Sequence, residues 1–68
     1  MHHALMAPTT GKQLELEIVA ASLTRRQVSD LLGIHRNTLR AILQASLVRP
    51  EQASAVRDAI ARLTKAAA

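Results

Sequence analysis

Between Leu23 and Gln44 the chain reads LTRRQVSDLLGIHRNTLRAILQ, and the glycine in its middle leaves few folds open. Thr24 is suited to N-cap a helix, and Gln27 three residues on completes a capping box. Val28, Leu31 and Leu32 mark one apolar face of that helix. Gly33 falls where the helix must stop, because glycine takes the left-handed conformation that ends a helix at no steric cost. Ile34 restarts the apolar pattern, which runs on through Leu39, Ile42 and Leu43 at helical spacing. The stretch predicts two short helices, 25–32 and 36–44, joined by a tight turn at Leu32-Gly33-Ile34.

Ser29 is a small residue four positions before the glycine, Ile34 an apolar residue just after it, and Leu39 and Ile42 apolar residues six and nine after it. In this pattern the chain resembles the helix-turn-helix of bacterial and phage DNA-binding regulators. The small residue lets the two helices cross closely, and the apolar ones lock their angle. Asn37-Thr38-Leu39-Arg40 is similar to the middle of the recognition helix in lac-repressor-like and phage Cro/repressor-like proteins. The stretch Val48 to Leu63 resembles the helix that follows in lac-repressor-like headpieces, although Arg49 stands where that family usually has a serine or threonine cap. A further helix before the motif fits the Cro/phage-repressor arrangement better. The resemblance implies an all-α, compact four-helix domain, lambda-repressor-like in type.

At 68 residues the chain has room for one domain, and without Phe, Trp or Tyr its core is small. Each buried Leu, Ile or Val contributes only about 1.5–3 kcal/mol. Chains of this size often add a disulfide, a metal or a partner subunit. With no cysteine, disulfides and thiolate zinc sites are excluded, which leaves self-association and suits a reducing compartment. No apolar run approaches the roughly 20 residues of a membrane span, and the start lacks a basic-then-apolar signal sequence. A cytoplasmic, nucleoid-associated location is therefore expected. The formal charge of +4 is concentrated: residues 22–49 set five arginines against Asp30 alone, while elsewhere four cations face four carboxylates. A basic surface centred on the motif favours phosphate binding over a merely solvated face.

In chain order, residues 1–11 read as a loose lead-in without amphipathic period, and 12–68 as the domain. His2 and His3 are not expected to form a functional metal site. Helix one is predicted over about 12–22, with Leu14, Ile18 and Ala21 on one stripe and Leu16, Val19, Ala20 and Leu23 widening it. Glu15 and Glu17 suit the positive end of its dipole and a solvated face. Pro50 opens the last helix, about 50–65, with Ala53, Val56, Ala59 or Ile60, and Leu63 as its buried stripe.

At about 100° per residue, Leu39, Ile42 and Leu43 turn inward and Asn37, Ala41 and Gln44 point nearly opposite, with Arg40 on the flank and Arg36 within reach. Arg36 and Arg40 can pair with guanine edges, and Asn37 and Gln44 match adenine. Ala41 permits close approach, with ordinary helix propensity an equal explanation. Thr24, Arg25, Arg26 and Gln27 can receive a phosphate at a helix start, Arg49 can contact another, and Thr38 can bond a phosphate or its own backbone. His35 can cap the helix, contact a phosphate or face solvent. No nucleophile stands beside a base and no ligand set at metal spacing is present, so neither catalysis, a cofactor, a metal nor a small-molecule ligand is expected.

The function expected is sequence-specific binding of double-stranded DNA, as a small repressor that sits as a homodimer on an inverted-repeat operator. The dimer surface would be the alanine-rich face of helix four (Ala53, Ala55, Ala59, Ala61 and Ala66) or the wide stripe of helix one. The alternatives are a protein-interaction module of the same fold, such as an antitoxin or antirepressor, and a nucleoid or recombination accessory protein.

Overall fold

The computed structural model describes residues 8–67. Among them, four helices follow one another without a strand: α1 (Gly11–Ala20), α2 (Arg25–Leu32), α3 (Arg36–Gln44) and α4 (Pro50–Ala67). α2 and α3 have the bounds that their caps and periodicity predict. α1 lies earlier than expected at both ends, and α4 runs two residues further. Met1–Ala7, with His2 and His3, and Ala68 lie outside the described residues.

The shift of α1 has identifiable causes. At its start Thr10 is the N-cap, its Oγ1 accepting from the Gln13 N–H at 3.1 Å. At its end Ser22 takes φ 60°, the Leu23 N–H donates to the Ile18 carbonyl (3.1 Å), and the Ser22 N–H to that of Val19 (2.9 Å). This pair of backward bonds satisfies carbonyls that the helix end would otherwise leave orphaned. α2 closes by the same device, with Gly33 at φ 68°, Ile34 N–H donating to Ser29 O (3.1 Å) and Gly33 N–H to Asp30 O (3.2 Å). Both stops use a left-handed residue, but only one is a glycine.

With α1 starting at Gly11, Glu15 and Glu17 sit beyond the first turn, where the dipole no longer favours them. Their role is tertiary instead. Arg57 on α4 donates from Nε and Nη2 to the Glu17 carboxylate at 2.9–3.2 Å, and from Nη1 to Thr9 Oγ1 at 3.3 Å. Glu17 raises the Arg57 pKa above its ordinary value by hydrogen bonding and charge, against the lowering by burial. The pair ties α1 to α4, and Thr9 to both.

The lead-in predicted for 1–11 therefore ends too late. Thr9 O accepts from the Val48 N–H (2.9 Å), and the Gly11 N–H donates to Ala45 O (3.0 Å). Gly11 is buried against the end of α3 so closely that a Cβ there would stand 2.5 Å from the Ile42 carbonyl oxygen and closer still to that of Leu43. Polar backbone pairing, rather than amphipathic spacing, holds this segment; the one local signal for the earlier start is Thr10 three residues before Gln13, the same spacing as Thr24 and Gln27.

The core is aliphatic throughout: Leu14, Ile18, Val28, Leu39, Leu43, Val48, Ala53, Val56 and Ala59, ringed by half-buried Leu23, Leu32, Ile34, Ile42, Ala45, Ile60 and Leu63. α4 packs across α1 and α2, and α3 packs against the same two helices. Leu16, Val19 and Leu31 do not join this core. They remain 55%, 65% and 45% exposed, because four short helices have only enough inner surface for one narrow stripe each. Ala53 and Ala59 are spent in the domain's own interior, so of the alanines considered for a dimer face only Ala55, Ala61 and Ala66 stay exposed.

The two glycines predict losses of different size and different cause on substitution. Helix propensity alone would make Gly11→Ala stabilising by about 1 kcal/mol, but collision with backbone reverses the sign, to a loss of about 3 kcal/mol. Gly33 has nothing within 4 Å of its missing Cβ, so Gly33→Ala costs only the left-handed conformation, about 1–2 kcal/mol. Ser22→Gly removes such a cost and should add about 0.5–1 kcal/mol. Urea unfolding of the three variants checks all three signs; a stabilised Gly11→Ala protein would contradict the packing described.

Candidate nucleic-acid interface

α2 and α3 diverge from the Gly33 turn and leave an open groove of about 720 Å³ between their outer faces. Arg25, Arg26, Ser29 and Asp30 line it from α2, Arg36, Asn37 and Arg40 from α3, and Ile34 and His35 from the turn. Ser29 lines the groove and is almost wholly buried, its hydroxyl donating to Arg26 O within α2 at 3.1 Å. On α3 the inward residues are Leu39 and Leu43, with Ile42 half-buried, while Arg36, Asn37, Thr38, Arg40, Ala41 and Gln44 are all exposed.

The local geometry decides what several side chains can offer. Thr24 Oγ1 accepts from the Gln27 N–H (3.1 Å), Gln27 Oε1 accepts from the Thr24 N–H (2.8 Å), and the Thr24 hydroxyl lies 3.2 Å from that same oxygen. The capping box expected from sequence is thus formed. It consumes the Thr24 hydroxyl and leaves the Gln27 amide nitrogen as the donor for an anion. His35 caps α3: its Nδ1 accepts from the Asn37 N–H at 3.0 Å. An accepting Nδ1 requires the neutral ring to carry its proton on Nε2, which makes the ring a cap on one side and a donor on the other.

Six of the residues singled out from sequence (Arg25, Arg26, His35, Arg36, Asn37 and Arg40) come together on this groove. Thr24 and Gln27 stand at the entry to α2, and Thr38, Ala41 and Gln44 lie elsewhere on the exposed surface of α3. Arg49 is at the entry to α4, exposed, its carbonyl accepting from the Ala53 N–H at 2.9 Å. Two carboxylates approach the groove arginines, and only the one from another helix was not anticipated. Glu15 on α1 forms an ion pair with Arg25 Nη2, and its other oxygen lies 3.8 Å from Lys12 Nζ. Asp30 is 4.0 Å from Arg26 Nε, in a pair that is mostly solvent-exposed. Asp30 is one helical turn from Arg26 and legible as such. Glu15 is ten residues from Arg25 on another helix, and no local signal joins them. Arg36 and Arg40 have no carboxylate within 4.0 Å among the described residues.

Among the described residues no three His, Asp or Glu side chains gather in a metal-binding group, and no helix is long and apolar enough to cross a membrane.

His35→Ser should keep the α3 cap and hold stability within about 0.5 kcal/mol of the parent, whereas His35→Ala should lose about 1 kcal/mol. Thermal unfolding of the pair separates them, and equal melting temperatures would show that the ring nitrogen does not cap.

No protein-family model matches the chain, and comparison with curated proteins and with solved structures finds no similar protein.

Proposed function

We propose that this chain is a sequence-specific double-stranded DNA-binding regulator, in which α2, the Gly33 turn and α3 act as a helix-turn-helix of the lambda-repressor-like type. The observation that carries this reading is the division of α3 into two faces. Leu39 and Leu43 anchor it from behind, and Arg36, Asn37 and Arg40 stand exposed in front, their guanidinium groups without a carboxylate partner among the described residues. Unpaired guanidinium and amide groups on one rigid helix face suit the hydrogen-bonding edges of bases in a major groove, with Ala41 and Gln44 further along the same helix. Arg25, Arg26, the Gln27 amide, His35 Nε2 and Thr38 supply donors for phosphates around it. Thr24 acts in this reading as the cap, and Arg49 as a cation beside the α4 entry.

A domain this small covers few base pairs, which favours a homodimer on an inverted repeat, acting as a repressor by occupancy and residing with the nucleoid. Leu16 and Val19 leave an apolar surface on α1, while α4 has committed Ala53 and Ala59 inward, so α1 is the better dimer surface of the two considered. The alternative, a protein-interaction module of the same fold such as an antitoxin or antirepressor, draws on the same exposure together with Leu31 and Leu47. A nucleoid or recombination accessory protein is a variant of the first reading. None of these readings assigns a catalytic role.

Selection of bound fragments from random duplexes should return a short inverted repeat. Arg40→Ala should then cost about 1–3 kcal/mol and relax preference at one or two positions of each half-site. A loss spread evenly over all sequences would assign Arg40 to phosphate instead, and recovery of no enriched sequence would remove specific recognition altogether.

A further inference from the structure

The arginines around the groove differ in their partners. Arg36 and Arg40, on α3, have no carboxylate within 4.0 Å among the described residues. Arg26 has only Asp30, at 4.0 Å, with both side chains more than two-thirds exposed, a separation and exposure at which water screens the attraction. Arg25 alone is engaged by a close carboxylate, and that carboxylate comes from a different helix. Glu15 is about three-quarters covered while Arg25 is half exposed, and Lys12 flanks the second Glu15 oxygen. The acid is therefore largely covered and is presented to Arg25 from a neighbouring helix.

We infer that Glu15 sets the level of sequence-independent duplex binding, by occupying the Arg25 guanidinium that a backbone phosphate would otherwise take. The inference rests on the DNA-binding reading above and names a residue that governs it. A phosphate that reaches Arg25 at hydrogen-bonding distance must share the guanidinium with the Glu15 carboxylate, and the two anions repel one another. Arg25 then releases less than one full counterion when it meets the backbone. The competing anion sits on a position suited to phosphate, and none sits on the positions suited to base edges. Non-specific affinity is thus held down while Arg36 and Arg40 stay ready for a matched site.

The test uses the full chain and a random-sequence duplex, so that no operator need be known. Affinity is measured across a salt series for the parent, Glu15→Gln, Arg25→Gln and the double variant, with each fold checked by circular dichroism. Glu15→Gln should bind the random duplex about two- to fivefold more tightly, the range that one partly exposed ion pair represents. Its log-log salt slope should steepen by up to about 0.9, one further phosphate contact. Both gains should vanish when Arg25→Gln is also present. Unchanged or weaker binding by Glu15→Gln would overturn the inference, as would an equal gain in the Arg25→Gln background, which would make the effect one of net charge. Glu15→Ala serves the same measurements if the glutamine variant proves unstable. A parent that fails to bind any duplex at low salt would instead overturn the DNA-binding reading itself.

Discussion

The close contact between the start of α1 and the end of α3 governs how the third helix is presented. Gly11 lies against the Ile42 and Leu43 carbonyls and donates its N–H to Ala45 O, so two backbones meet with no side chain between them. Leu39 and Leu43 then reach the core formed by Leu14, Ile18 and Val56, and the remaining face of α3 has nowhere to go but outward. A helix of nine residues is marginal in water by itself. Its orientation is therefore a product of what grips it from behind, and the grip requires the one residue that has no Cβ.

Polar contacts supply what a core without aromatic side chains lacks. Each of the first three helices starts with a side-chain cap, from Thr10, Thr24 and His35, and two of them end in matched backward bonds through Ser22 and Gly33. Pro50 opens α4 without an N–H to satisfy, and Lys65 lies near its end. Such bonds contribute about 1 kcal/mol each, which is a large share of the stability of a small domain. The Arg57 bridge to Glu17 and Thr9 adds a cross-link between segments that are 40 and 48 residues apart in sequence.

Charge is arranged with the same economy. Outside the groove, Arg57 is matched by Glu17 and Arg62 by Asp58. Inside it the pairing is uneven, close at Arg25, loose at Arg26 and absent, among the described residues, at Arg36 and Arg40. Unpaired arginines on an exposed face are open to an anion or a hydrogen-bond acceptor. In the proposed reading that acceptor is a base edge, and the gradation of pairing across the groove separates recognition of sequence from attraction to the backbone.

The residues from Thr24 to Gln44 were legible because their determinants are local. A capping box spans four positions, a helix stop is written in one glycine, and an inward stripe repeats within one or two turns, so the bounds of α2 and α3 and the outward set Arg36, Asn37 and Arg40 follow from neighbours in the chain. Ser22 hid the end of α1 because a serine in the left-handed conformation leaves no mark in the residues around it. Leu16 and Leu31 satisfied a helical period equally well and were left outside, since periodicity identifies a face but not how much of it a neighbouring helix can cover. The inward Ala53 and Ala59 already lay on the stripe that helical spacing marks, whereas the burial of Gly11 and the Glu15–Arg25 and Glu17–Arg57 pairs belong to the tertiary structure alone. Each depends on the angle and separation at which two helices cross, which is settled by the packing of the whole core and by no stretch of chain on its own.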